Sequence, residues 1–296
     1  MMRNKHGGVA RILTLSVVTL ISGCSSHLSL LHPEGPIGAH EVWVIGIAFA
    51  LMLIVVIPVF VMTFLFAWRY RASNTRATYT PNWGYSKKIE LVVWLVPAVI
   101  VISLGILLWK TTHELSPYRP LASTQKPVKV EAVAMDWKWL FIYPQQHIAS
   151  VNRLVFPAKA PLSLRLTSDT VMTSFFIPRL GSQIYAMPGM RTKLHLLADK
   201  PGTYTGRNFQ FSGRGYSAMH FKAVATSKAG FRNWVSRVRQ SQRKLNVAAF
   251  KRLATPSVGH AVTYYASVRP HLFDYIMRQY RTANAARPPS NVHRGA

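Results

Sequence analysis

The sequence predicts a two-helix membrane hairpin that carries an all-β sandwich or barrel and a small C-terminal helical appendix. Three observations lead there. Two long uncharged apolar runs lie within the first 110 of the 296 residues. Between residues 111 and 228, short alternating runs are broken by proline and glycine turns. Beyond Gly230, apolar residues recur at helical spacing.

The chain begins with Arg3, Lys5 and Arg11, continues with the apolar run "ILTLSVVTLI", and then reads "SGC". A basic segment, a short apolar core and small residues before a cut site form a secretory signal peptide. Ile21-Ser22-Gly23-Cys24 resembles a bacterial lipobox. Residues 1–23 are therefore read as a lipoprotein signal peptide, and Cys24 as the site of lipid attachment on the outer face of the cytoplasmic membrane. Cys24 is also the single cysteine, which excludes an intramolecular disulfide and any site needing two thiolates.

Residues 24–110 form the membrane anchor. Val42 to Trp68 gives 27 residues without a charge, beyond the roughly 20 that cross a bilayer. Leu91 to Trp109 gives a second run of 19. These predict spans at about 42–68 and 89–109, with Pro58 and Pro97 as tolerated interior prolines. Trp43, Trp68, Trp94 and Trp109 lie mostly near the ends, as interfacial aromatics do. The connecting loop holds Arg69, Arg71, Arg76, Lys87 and Lys88 and no acid before Glu90, so it belongs in the cytoplasm. Both ends of the chain then face outward, in agreement with a lipidated Cys24.

Residues 111–228 form the outer β domain. "PLSLRLTS" alternates Leu162, Leu164 and Leu166 against Ser163 and Arg165, and turns fall at Pro157, Pro188-Gly189 and Pro201-Gly202. An antiparallel sandwich or barrel is expected. In residues 229–280, Phe231, Trp234, Val235 and Val238 share one helical face, which makes this part the helical appendix. Residues 281–296 read as a disordered basic tail. From residue 110 onward there are 28 Lys and Arg against six acids, a balance of +22. Such a field suits an anionic lipid surface or an acidic partner, or serves solubility in acidic surroundings. Nucleic acid, the usual partner of so basic a chain, is excluded by the targeting signals.

Three phrases give this layout a relative. "KKIELVVWLVPAVIV", "MDWKWLFIYP" and "TSFFIPRLGSQIYAMPGM" resemble the second-span entry, the aromatic strand and the first metal-ligand segment of subunit II of the haem–copper respiratory oxidases. The resemblance implies a cupredoxin-like sandwich. In members that accept electrons from cytochrome c, that sandwich holds two copper ions. It does so with a histidine before a Ser-Phe pair and a Cys-x-x-x-Cys-x-x-x-His-x-x-Met block, with a glutamate between the cysteines. On this chain those positions are Thr173, Asn208, Ser212, Tyr216 and Met219, with Gln210 between the first two of the block. Only Met219 keeps its ligand type, and soft copper needs thiolate or imidazole. No metal is expected in the chain, and Met219 is expected in the core. His195 and His220 are read as surface or strand residues, Trp137 and Trp139 as core and interface. Asp136 and Asp169 have no evident catalytic partner.

The missing ligands, the lipobox, and the segments "AAFKRLATPS" and "RPHLFDYI" resemble the quinol-oxidising, cytochrome bo-type branch of that family. The branch implies subunit II of a proton-pumping ubiquinol oxidase in the bacterial inner membrane, its C-terminal domain on the periplasmic side. Haems and copper belong to a large catalytic subunit, the main partner beside other small membrane subunits and membrane lipid. Ubiquinol is oxidised by the complex, cytochrome c is not a partner, and this chain has no cofactor or catalytic residue of its own. Glu90 adjoins the cytoplasmic end of the second span, where the family places the mouth of a proton channel. The alternative is a carboxylate that stabilises a helix N-terminus beside Lys87 and Lys88. A copper-bearing subunit is excluded by the lack of thiolates. A free-standing lipoprotein would differ in bringing no haem with it on purification.

Overall fold

The computed structural model describes residues 29–78 and 80–285. The signal peptide, Cys24 and residues 286–296 of the basic tail lie outside the described residues.

Helix α1 (Pro36–Arg69) and helix α2 (Lys87–Glu114) contain the two uncharged runs and extend past them at both ends. Pro36 occupies the first turn of α1, where a missing N–H costs nothing. At 1.5 Å per residue the helices are about 51 and 42 Å long, against a hydrocarbon core of about 30 Å. Their apolar side chains point outward all round; Phe64 is 70% and Trp94 73% exposed. An apolar helix with no protein around it needs lipid or another subunit. The hydroxyls of Thr63 and Ser103 donate to the Val59 and Val99 carbonyls, at 2.8 Å each, so neither is left unsatisfied in an apolar medium.

The outer part begins with β1 (Val128–Met135), β2 (Lys138–Tyr143), β3 (Ile148–Val151), β4 (Arg153–Pro157) and β5 (Leu162–Ser168). It continues with β6 (Thr173–Phe175), β7 (Ile184–Ala186), β8 (Thr192–Leu196), β9 (Gly202–Arg207) and β10 (His220–Thr226). Helix α3 (Lys228–Arg239), β11 (Lys244–Leu245), α4 (Val247–Ala254), β12 (Thr263–Tyr265), β13 (Ser267–Val268) and α5 (Leu272–Ala285) complete it.

A six-stranded sheet, ordered β12-β3-β2-β1-β5-β8, faces a three-stranded sheet, β4-β10-β9. The expected antiparallel pairing is corrected at two places: β1 runs parallel to β5, and β4 parallel to β10. The period of two is the same in both kinds of ladder, so alternation does not report direction. Between the sheets, Trp139, Phe141, Phe175 and Phe221 form one aromatic cluster, with the Phe175 and Phe221 rings 5.0 Å apart.

Strand β2 is buried along its whole length. Trp139, Phe141 and Tyr143 enter the core between the sheets, while Leu140 and Ile142 enter a second core. That second core is closed by Leu245, Phe250, Leu253, Leu272, Phe273 and Ile276 from the C-terminal part. Each such side chain contributes about 1.5–3 kcal/mol when fully buried. The appendix is thus helical and covers one face of the large sheet. It also adds β12 to that sheet's edge, beside β3. Helix α5 continues to Ala285, five residues into the segment expected to be disordered.

Lys138 lies on β2 among these apolar residues, 1% exposed. Its ammonium donates to the Thr255 carbonyl at 2.8 Å and to the Ser257 hydroxyl at 2.5 Å, which ties the appendix to the sandwich. Burial lowers its pKa, and Asp136 partly opposes this.

Candidate functional site

Of the six positions that correspond to a copper-binding frame, Asn208, Ser212, Met219 and the Gln210 backbone are brought into contact, while the Thr173 hydroxyl has no partner and the Tyr216 ring packs on Phe211. Strand β6 supplies Thr173, and the loop between β9 and β10 supplies the others. Thr173, Asn208 and Met219 are buried, at 2%, 4% and 1% exposure. Asn208 is the hub. Its Oδ1 accepts from the backbone N–H groups of Ser174 and Gln210, both at 2.9 Å, and from the Ser174 hydroxyl at 3.3 Å. Its Nδ2 donates to the Ser212 hydroxyl at 3.1 Å and lies 3.5 Å from the Met219 sulfur. The Ser174 hydroxyl in turn accepts from the Phe209 N–H at 2.7 Å. A side-chain amide, donor and acceptor at once, thus joins the two segments with neutral hydrogen bonds. Thr173 takes no part; its buried hydroxyl has no hydrogen-bond partner.

Trp137 lies over this loop. It sits in the turn between β1 and β2 with φ of 62°, an uncommon conformation for a bulky side chain. Two contacts hold it there. Its indole N–H donates to the Ser212 carbonyl at 2.8 Å, and its ring rests on Gly215. A Cβ at Gly215 would come within 2.3 Å of the indole, so only glycine permits the approach.

Glu90 is in the first turn of α2 and fully open in the isolated chain. The Tyr85 hydroxyl, just before the helix, hydrogen-bonds to the Glu90 carboxylate and is thereby held above its ordinary pKa. At the other end of the anchor, two acids fasten the outer end of α1 to the sandwich. Glu34 pairs with Arg179 at 2.6 Å, and its backbone N–H donates to the Arg179 carbonyl at 2.7 Å. Glu41 accepts from the backbone N–H of Ser182 at 2.8 Å and from its hydroxyl at 3.2 Å. Gly181, with φ of 90°, lies against Gly38, where a Cβ would come within 2.6 Å of the Gly38 nitrogen. The carbonyl of Leu180 accepts from the Gly38 N–H at 3.3 Å.

Comparison with known proteins shows what the chain is similar to. Residues 124–226 match the family described as cytochrome c oxidase subunit II, periplasmic domain, and residues 239–284 match the cytochrome oxidase aromatic-rich motif. The cytochrome bo(3) ubiquinol oxidase subunit 2 of Pseudomonas aeruginosa is 50% identical over 285 residues, covering 96% of this chain and 86% of that protein. The chain belongs to the ubiquinol oxidase subunit 2 family. The ubiquinol oxidase subunit 2 of Acetobacter aceti is 48% identical over 282 residues, covering 94% of this chain and 91% of its own. Among solved structures, the periplasmic domain of cytochrome oxidase subunit II of Bradyrhizobium japonicum aligns with 40% of this chain and 96% of its own. The identity is 21% and the TM-score 0.37.

Within the ubiquinol oxidase subunit 2 family, this chain's copper-frame residues do not fit the metal pair. The donors there are two amides, two hydroxyls, a phenol and one thioether, and the capacity of the Asn208 amide is used internally. Among the described residues, no group of three His, Cys, Asp or Glu is placed to hold a metal ion. Met219 packs in the core between the sheets, as its apolar setting suggests. His195 lies on β8, buried, with its ring nitrogens at 3.3 Å from the Ser163 hydroxyl and 3.1 Å from the Pro117 carbonyl. His220 is exposed. Trp139 is fully buried, whereas Trp137 is a partly exposed cover of the loop.

Sequence reading missed Ser174, the partner of Asn208, and the fastening by Glu34, Glu41, Arg179 and Ser182. One signal was available for the fastening. In a chain with only nine acids, two flank the outer end of the first span.

Proposed function

We propose that this chain is the second subunit of a proton-pumping ubiquinol oxidase, and that it supports a large catalytic subunit without holding a redox centre. The observation that carries the reading is the Asn208 hub. The frame that holds copper in the cytochrome c branch is here closed by an amide and hydroxyls, in a chain half identical to a ubiquinol oxidase subunit. A frame with neither thiolate nor imidazole has no use for cytochrome c, so electrons enter the complex from quinol elsewhere. The haems, the copper of the reaction centre and oxygen reduction then belong to the large subunit. Here α1 and α2 stand in the membrane against it, with Cys24 lipidated on the outer side and the sandwich outside. Glu90, at the inner end of α2, admits protons toward the large subunit, since ionisable side chains at the membrane's edge commonly mark proton paths.

The test is purification of the tagged full chain in mild detergent. Haem absorbance and quinol-dependent oxygen uptake should come with it, and the full chain alone, loaded with copper, should show no near-infrared band. A stoichiometric dinuclear copper spectrum in this chain would overturn the reading.

A further inference from the structure

The end of the sandwich that meets the anchor can be located from its contacts. Gly35, one residue before α1, touches the Leu197 carbonyl, and the Asp199 N–H donates to the Glu34 carbonyl at 2.9 Å. The Lys159 N–H donates to the Ala198 carbonyl and the Ala158 N–H to the Thr226 carbonyl, both at 2.8 Å. The turns at 157–160, 197–201 and 226–228 therefore gather at the end where α1 leaves the sandwich. The segment after α2 joins them: residues 124–126 line one cavity with Pro157, Ala160 and Lys228.

This end is strongly cationic. Lys110, Lys126, Lys159, Lys200, Lys228 and Arg232 are all exposed, and none makes an ion pair among the described residues. The acids nearby are fewer: Glu114, Asp199, Glu41, whose carboxylate holds Ser182, and Glu34, which Arg179 already neutralises. The cavity, about 470 Å³, carries Lys126, Lys228 and Arg232 over a floor of Pro157, Ala160 and Phe231, and no acid lines it. Positive charge on the outer side does nothing for the orientation of the spans, which is set by short cytoplasmic loops. Headgroup phosphates beside the ends of two membrane helices attract unpaired cations that come within the screening length of about 8–10 Å.

We propose that this cationic end of the sandwich is a binding surface for anionic phospholipid, with the cavity formed by Lys126, Lys228 and Arg232 seating one headgroup phosphate. The surface steadies the outer domain on the membrane independently of any lipid on Cys24. The proposal needs only that α1 and α2 cross the membrane with the sandwich close to it. It stands or falls apart from the quinol-oxidase reading.

The experiment uses the full chain in a neutral mild detergent. Dioctanoyl phosphatidylglycerol, dioctanoyl phosphatidylcholine and inorganic phosphate are titrated in parallel, and bound species are counted by native mass spectrometry. A cation beside an anionic surface is worth about fivefold in affinity, so replacing three should weaken binding on the order of a hundredfold. Phosphatidylglycerol should bind at least tenfold tighter than phosphatidylcholine. That preference should disappear in Lys126→Gln/Lys228→Gln/Arg232→Gln and in high salt. It should persist in Lys244→Gln/Lys251→Gln, which removes equally exposed charges from the appendix. The single variant Lys228→Glu, checked for native circular dichroism, serves should the triple variant misfold. Four outcomes would overturn the proposal. Two are equal binding of the two lipids, or an unchanged preference in the triple variant and in Lys228→Glu. A third is inorganic phosphate binding as tightly as phosphatidylglycerol, which would make the site one for free anion. The last is loss of a co-purifying acidic protein in the triple variant while lipid binding stays intact.

Discussion

Replacing Asn208 with alanine tests whether the loop between β9 and β10 is held to β6 by hydrogen bonds. The substitution removes one acceptor that serves three donors and one donor that serves Ser212. Ser174 is fully buried, so its backbone N–H is stranded without water. A stranded buried donor costs about 1–3 kcal/mol, and each ordinary net hydrogen bond about 0.5–1.5 kcal/mol. Gln210 is only half-buried, and the Ser174 hydroxyl can turn to another acceptor, so their losses fall at the low end. The sum comes to about 2–4 kcal/mol. In a domain of this size, that corresponds to a fall of roughly 4–16 °C in the unfolding midpoint. Near-ultraviolet circular dichroism of the full chain in detergent follows it directly, because Trp137 bonds to Ser212 in the same loop. Met219→Leu, a change of similar volume, should cost less than about 1.5 kcal/mol. The hub role of Asn208 fails if Asn208→Ala changes stability by under about 0.5 kcal/mol. It fails equally if Met219→Leu is as damaging as Asn208→Ala, since the thioether would then be holding something the amide does not.

Three further outcomes follow from the same structure. Thr173→Val should raise stability by about 1 kcal/mol, because the buried hydroxyl has no partner and valine keeps its shape; a loss of stability would show a bond to water or protein at that oxygen. Glu131 is raised above its ordinary carboxylate range mainly by burial, with Arg165 pulling the other way. In the window above that ordinary range the folded chain holds more protons than the unfolded one, so stability falls as pH rises through it. Glu131→Gln should flatten that part of the stability curve; an unchanged slope in denaturation midpoints across about pH 4–8 would refute the assignment. Glu90→Gln should lower quinol-oxidase turnover per haem at unchanged haem content, since removing a helix-end charge alone costs only about 0.3–1 kcal/mol. Wild-type turnover at every pH would leave Glu90 a structural helix-end residue.

What the sequence determined by itself was whatever depends on neighbours along the chain. Hydropathy over 27 and 19 residues is a local property, and it placed both spans inside the observed helices. Alternation around Leu162, Leu164 and Leu166 marked a strand, and the spacing of Phe231, Trp234 and Val238 marked a helix, for the same reason. The absence of cysteine and histidine from the spacing around Asn208 was equally legible, because it needs only residue identities. Other features were settled only when the chain folded, because they join residues far apart in it. Lys138 reads as a surface lysine until Thr255 and Ser257, more than a hundred positions later, supply its acceptors. Asn208 reads as a lost ligand until Ser174 arrives 34 positions away to make it a hub. Glu34 meets Arg179 across 145 positions, and the six cations at the anchor end come from five separate stretches of chain. Hydrophobicity and period are written in consecutive residues and survive in any sequence window. Hydrogen-bond partners and charge clusters are relations between distant residues, and only the packing of the two sheets and the anchor brings them within reach.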